Sequence, residues 1–183
     1  MGCKKQNSMK RIFLIGFMGS GKTTVGKLLA QKLEFSFIDL DQYIENRLLK
    51  NISTLFTEGG EDSFRAIEHK LLLEVAQIDN VVVSTGGGTA CFHNNMEIMN
   101  EAGISIYLKI SHQILQNRLQ KAKEFRPLIK DKTDQELFAF ILEALQKREK
   151  YYQQASLIVS NNEPEEDAEN SCNKIIKALK TPA

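Results

Sequence analysis

Short unbroken apolar runs recur along the chain, each followed by a stretch whose apolar residues repeat at helical spacing. Residues 11–15 (Arg-Ile-Phe-Leu-Ile) read as a first strand buried on both faces. A helix is predicted from Lys22, with Val25, Leu28, Leu29 and Leu33 on one side. Residues 35–39 form a second strand. Short helices are predicted over 41–50 and 53–57, closed by Gly59-Gly60, and a longer helix over 61–77 turns Phe64, Ile67, Leu71 and Val75 inward. Residues 81–84 make a third strand that runs into Gly86-Gly87-Gly88, and Met96 and Met99 mark another helix. A fourth strand covers 104–108 and a helix 112–119. Residues 120–132 are charged and lack periodicity, which predicts a mobile loop. An amphipathic helix over 134–153 uses Leu137, Phe138, Ile141, Leu142 and Leu145. A fifth strand covers 157–159, and a last helix carries Cys172, Ile175, Ile176 and Leu179.

Such alternation, with strands apolar throughout, predicts an α/β fold: a parallel sheet covered by helices on both faces. Ligands of these sheets bind beyond the carboxyl ends of the strands. The expected organisation is one domain over residues 9–183, with about 41–77 and about 120–132 as insertions on a single core. Residues 1–8 are polar, have no apolar core, and are expected to be a disordered extension rather than a signal peptide.

Composition narrows the picture only a little. The 183 residues are 42% apolar and 26% charged, an ordinary balance for a globular protein. The formal charge is +1 and the basic residues are dispersed, so no nucleic-acid partner is expected. No apolar run reaches the roughly 20 residues of a membrane span, so no membrane partner is expected. Cys3, Cys91 and Cys172 lie far apart, which argues against a disulfide framework or thiolate metal site and makes the cytoplasm the default location. His69, His93 and His112 show no partner spacing and read as surface or satisfied polar groups.

The strongest chemical signal is Gly16-Phe17-Met18-Gly19-Ser20-Gly21-Lys22-Thr23, which matches G-x-x-x-x-G-K-S/T between an apolar strand and a helix. The glycines let backbone N–H groups wrap a phosphate, and the helix N-terminus adds a favourable field. Gly19, Ser20, Gly21, Lys22, Thr23 and Thr24 are therefore the nucleotide-binding candidates. Lys22 would reach the β- and γ-phosphates, and the Thr23 hydroxyl would ligate Mg²⁺. No Asn-Lys-x-Asp guanine motif is present, which disfavours a GTPase. This P-loop names a phosphate donor but no acceptor.

Acceptor chemistry is suggested further along. Asp39 and Asp41 stand two apart at the end of the second strand, where i and i+2 share a face, so both carboxylates can project to one side. One could hold water around Mg²⁺ and the other accept from substrate hydroxyls; the alternative is a pair of helix N-capping acids. Arg65 precedes Glu68 by three residues on a predicted helix, and the pair could aim a guanidinium fork at a carboxylate or be a plain surface ion pair. Eight of the eleven glycines fall in the P-loop, in Gly59-Gly60 and in the 86–88 triplet. The triplet suits close backbone approach to a ligand, or simply a flexible turn. Arg126, held extended by Pro127, could close over a developing phosphoryl charge or be an ordinary exposed arginine, and Arg148 is ambiguous alone.

Taken in series, the P-loop, Phe37-Ile38-Asp39-Leu40-Asp41, Phe64-Arg65-Ala66-Ile67-Glu68, Gly86-Gly87-Gly88, Arg126-Pro127-Leu128 and Arg148 with Tyr151 resemble the shikimate kinase family over nearly the whole chain. The resemblance implies a three-layer α/β/α P-loop kinase fold with a five-stranded parallel sheet of order 2-3-1-4-5. It implies ATP-dependent phosphorylation of the shikimate 3-hydroxyl by a monomer. Lys22 and Arg126 would stabilise the transferring phosphoryl group, and Arg126 would also touch the nucleotide. Thr23 would ligate Mg²⁺, supported through water by Asp39. Asp41 would accept from shikimate hydroxyls and assist deprotonation. Arg65 and Arg148 would clamp the substrate carboxylate, with Glu68 orienting Arg65 and with Gly87 and Gly88 offering backbone contacts. Arg118 and the segment 161–164 are the adenine candidates. Two rivals are a kinase for another small hydroxy acid such as gluconate, and a non-catalytic nucleotide-binding regulator.

Overall fold

The computed structural model describes residues 10–123, 128–161 and 167–180. Five parallel strands make one sheet in the order β2-β3-β1-β4-β5. They are β1 (Arg11–Ile15), β2 (Ser36–Asp39), β3 (Val81–Ser84), β4 (Ile104–Ile110) and β5 (Leu157–Asn161). The helices are α1 (Lys22–Leu33), α2 (Leu40–Leu48), α3 (Ile52–Val75), α4 (Asn95–Ala102), α5 (His112–Lys121), α6 (Asp134–Tyr152) and α7 (Ala168–Lys180). Among the described residues, no helix is long and apolar enough to cross a membrane.

Central β1 is apolar on both faces because both are covered. Ile12 and Leu14 pack with Val25 and Leu29 of α1 and with Cys172 and Ile175 of α7. Phe13 and Ile15 face the other layer, with Leu72 and Val75 of α3 and Ile141 of α6. Burying each such side chain contributes about 1.5–3 kcal/mol, so this strand holds both layers in place. Cover thins at the edge: Ile158 of β5 is 43% exposed, and Leu142 of α6, expected to face inward, is 38% exposed.

Register sets the functional rim. Leu14 pairs with Ser84, and Asp39 pairs with Ser84 from the other side. The Thr85 N–H continues the ladder onto Leu14 O at 3.1 Å. The P-loop, the end of β2 and the glycine triplet therefore leave the sheet at one level. Across the second segment, Gly60 breaks α3 with φ 74° and ψ 179°, which divides it into the two helical pieces foreseen around Gly59-Gly60. Part of the stretch read as a loop over 120–132 is anchored: α5 runs to Lys121, and Ile129 is fully buried in the core. Residues 1–8, Arg126-Pro127 and the segment 162–164 lie outside the described residues.

Candidate active site

The turn after β1 needs left-handed backbone at Gly19 (φ 81°) and Gly21 (φ 93°), a conformation in which side chains are strained. Gly21 caps α1 without a side-chain hydrogen bond, so the first N–H groups of that helix face outward over the turn. Lys22 is buried and folds its ammonium back over the turn, donating to Gly16 O at 2.8 Å and Phe17 O at 3.0 Å. Ser20 Oγ is buried and has no hydrogen-bond partner among the described residues. An unsatisfied buried hydroxyl costs about 1–3 kcal/mol, and a phosphate oxygen would satisfy it.

A cavity of about 510 Å³ opens above this turn, lined by residues 19–24 together with Asp39, Asp41, Gly87 and Arg118. The Thr23 hydroxyl donates to Asp39 Oδ2 at 2.7 Å. Asp39 ends β2 and caps α2, its Oδ1 accepting from the Gln42 N–H at 3.4 Å. Asp41 belongs to the first turn of α2, not to the strand. The two acids thus share the cavity because the strand passes directly into a helix there, not by strand alternation. The N-cap alternative and the cavity-lining role hold together for Asp39. Burial first, then the Asp39 and Glu68 charges, push the Asp41 carboxyl up to about 6, with Lys22 and Arg65 partly offsetting them.

Behind Asp41 lies the second cluster. Arg65 is buried and donates from Nη1 to Glu68 Oε2 at 2.8 Å, and from Nε and Nη2 to Glu61 Oε1 at 3.3 and 3.2 Å. The i,i+3 pair is therefore interior rather than on the surface. Phe92 covers the guanidinium, its ring centre 4.2 Å from Cζ. Arg148 donates to Gly87 O at 3.4 Å and lies over Phe17, and Tyr152 donates to the same carbonyl at 2.5 Å.

The glycine triplet joins the two clusters through close approach. A Cβ on Gly86 would stand 2.9 Å from Asp41 Oδ1, one on Gly87 3.2 Å from Met18 N, and one on Gly88 2.5 Å from Arg65 Nη2. Arg65, Gly88 and Arg148 do not line the cavity; they flank the turn that forms its wall. Arg118 donates to Gly19 O at 3.3 Å, at the P-loop end of the cavity. Cys91 is pushed up to about 11 by burial, which keeps its thiol protonated beside Arg148 and Arg65. His69 is satisfied by Asn95 at 2.7 Å and stacks on His93, with ring centres 4.7 Å apart.

A model of the family described as shikimate kinase matches residues 18–180. The chain belongs to the shikimate kinase family. A shikimate kinase from Phocaeicola vulgatus is 51% identical over 158 residues, covering 86% of this chain and 90% of that protein. One from Parabacteroides distasonis is 48% identical over 173 residues, covering 93% of this chain and all of that protein (100%). Among solved structures, shikimate kinase from Bacteroides thetaiotaomicron superposes with a TM-score of 0.90 at 47% identity, over 95% of this chain and 100% of that one. Shikimate kinase from Acinetobacter baumannii in complex with shikimate superposes at 0.84 with 30% identity, over 94% and 93%. The P-loop kinase fold and the sheet order expected from the resemblance are those of this shikimate kinase family member. Its Thr89, Phe92 and Tyr152 were not singled out by sequence, although the spacing of Tyr152 four residues after Arg148 on one helix face was a usable signal.

Proposed function

We propose that this chain transfers the γ-phosphate of ATP to the 3-hydroxyl of shikimate, giving shikimate 3-phosphate and ADP. One observation supports the reading above the others: the glycine triplet meets the P-loop at Gly87, and meets Asp41 at Gly86, Arg148 at Gly87 and Arg65 at Gly88. A phosphate held by the P-loop and an acid held by the two arginines would then meet at Asp41.

In this reading the N–H groups of residues 19–24 and the Ser20 hydroxyl bind the phosphates. Lys22 exchanges its loop carbonyls for phosphate oxygens and neutralises charge on the transferred group. Arg126, which lies outside the described residues, is assigned the same task from its sequence context. Arg65 and Arg148 bind the substrate carboxylate, Glu68 aims Arg65, and Gly87 and Gly88 contact the ring closely. Arg118 flanks the adenine. The substrate oxygen forms a bond to the γ-phosphorus while the bond to the β,γ-bridging oxygen breaks. The hydroxyl proton passes to the Asp41 carboxylate, whose elevated pKa suits it to accept.

An all-oxygen donor pair, the Thr23 hydroxyl held on the Asp39 carboxylate, fits Mg²⁺, which keeps several waters and takes few protein ligands. Thr23 would bind it directly and Asp39 through water; when bound, the ion supplies charge neutralisation at the β- and γ-oxygens. We assign a monomer from the family resemblance, and the free thiols Cys91 and Cys172 fit residence in the cytoplasm. The domain reading is carried forward in the same way: residues 9–183 act as one kinase domain, with the acceptor segment at about 41–77 and a lid at about 120–132.

The direct test is ADP release from Mg²⁺-ATP with shikimate, gluconate, quinate or no acid. Release with shikimate alone supports the reading. Equal release with gluconate, or none with any acid, counts against it in favour of the corresponding rival.

A further inference from the structure

The glycine triplet leads into a short 3-10 turn, Thr89–Cys91, whose first residue has no place in the mechanism above. Thr89 is fully buried, and its hydroxyl donates to Glu68 Oε1 at 2.6 Å. The other oxygen of that carboxylate, Oε2, accepts from Arg65 Nη1 at 2.8 Å. Glu68 is 1% exposed, so one carboxylate buried away from water is divided between an arginine and a threonine.

Thr89 is itself pinned. Its carbonyl accepts from Asn95 Nδ2 at 2.7 Å, and Asn95 Oδ1 faces His69 Nδ1 at 2.7 Å. A carbonyl can only accept, so the Asn95 amide has one satisfied orientation, and His69 Nδ1 must carry the proton that meets its oxygen. Donation therefore runs from His69 through Asn95 and Thr89 to Glu68, which Arg65 meets as a second donor from the other side. Thr89 and Glu68 also lie with Asp41 around Gly86. A Cβ on Gly86 would lie 2.9 Å from Asp41 Oδ1, 3.0 Å from Thr89 Oγ1 and 3.2 Å from Glu68 Oε1. Only a bare Cα leaves room for all three groups.

We infer that Thr89 is a positioning residue for the substrate clamp: through Glu68 it fixes the direction in which Arg65 presents its remaining N–H groups to an anionic acceptor. The inference rests on the hydroxy-acid kinase reading. A carboxylate with two strong partners on opposite oxygens cannot swing, and a guanidinium bonded to it inherits that restraint. Removing the hydroxyl leaves Oε1 unsatisfied and free to turn toward Arg65. The clamp would then be present but misaimed, a defect specific to the acceptor. A hydroxyl that serves stability alone would disturb the nucleotide and the acceptor equally.

The experiment compares Thr89→Val, Thr89→Ser and Thr89→Cys in the full chain, measuring kcat, the KM for shikimate, the KM for ATP and Tm. Thr89→Val is expected to raise the shikimate KM about tenfold, the scale of a lost hydrogen bond to a charged group, while the ATP KM stays within about twofold. Thr89→Ser keeps the donor and should restore the wild-type shikimate KM. Thr89→Cys, a weaker donor, should fall between, and it carries the test if the valine variant does not fold. In an Arg65→Ala background, Thr89→Val should add nothing to the shikimate KM, because the two changes act through one contact. An unmoved shikimate KM, an equal rise for both substrates, or full additivity with Arg65→Ala would overturn the inference and leave the kinase reading standing. A wild-type chain that does not consume ATP in response to shikimate would remove both.

Discussion

Gly88 lies so close to Arg65 that a single methyl group placed on its Cα would stand 2.5 Å from Nη2. The guanidinium cannot retreat, because Glu68 holds it from one side and Phe92 covers it at 4.2 Å. Gly88→Ala is therefore expected to displace the fork, raising the shikimate KM at least tenfold with the ATP KM little changed. Steady-state kinetics with each substrate varied in turn checks this. Equal effects on both would mean that the turn has collapsed as a whole.

Asp41 gives a pH signature. Its carboxyl is raised to about 6 by burial, then by Asp39 and Glu68. Below that value it is protonated and cannot accept the substrate proton. kcat/KM for shikimate should thus rise through pH 6 and level off above it, and Asp41→Asn should abolish activity together with that limb.

The same shift makes a prediction about stability. The folded pKa lies above the unfolded one, so the folded chain binds more protons between about pH 4 and 6. The stability this confers is present at low pH and is lost as pH rises through 6. At pH 7.5, Asp41→Asn should stabilise the protein by on the order of 2 kcal/mol, after allowance for partial exposure. Chemical denaturation at pH 7.5 and pH 5 checks it: the gain should shrink at the lower pH.

Lys22 lies on Gly16 O and Phe17 O, over the floor of the cavity. Lys22→Met removes a cation aimed at the transferring phosphate while keeping the bulk of the side chain. kcat is expected to fall about 10²–10³-fold, the usual scale for losing one preorganised charge. Single-turnover measurement should show the loss in the chemical step.

Away from the site, Gly103 closes α4 onto β4, and a Cβ there would meet the Arg11 carbonyl oxygen at 2.2 Å. The neighbour is backbone of the central strand and cannot yield. Gly103→Ala should cost about 2–3 kcal/mol, or roughly 5–10 °C in Tm, without altering either KM if the protein folds.

The strands and the P-loop could be read from the sequence because their signals are local: apolar runs of strand length, and glycines at positions that require positive φ. The break in α3 was legible for the same reason, through Gly59-Gly60. Asp39 and Asp41 were legible as a pair but not in geometry, because a strand that passes into a helix without a loop leaves no punctuation between them. Burial of the Arg65–Glu68 pair was hidden too, since the spacing of an interior ion pair is identical to that of a surface one. Thr89, Phe92 and Tyr152 depend on contacts between segments far apart in sequence, Tyr152 reaching Gly87 across 65 residues. Leu142 fits the helical period yet faces outward, because the sheet ends at β5 and leaves little to cover it.

The most direct measurement is ³¹P NMR of the wild-type chain with Mg²⁺-ATP and shikimate, followed in time beside Arg65→Ala. A donor and an acceptor held at one rim predict a new phosphomonoester resonance that grows in step with ADP, and far more slowly in the variant at limiting shikimate. Inorganic phosphate in place of the ester, or ester formation that ignores the loss of Arg65, would contradict it.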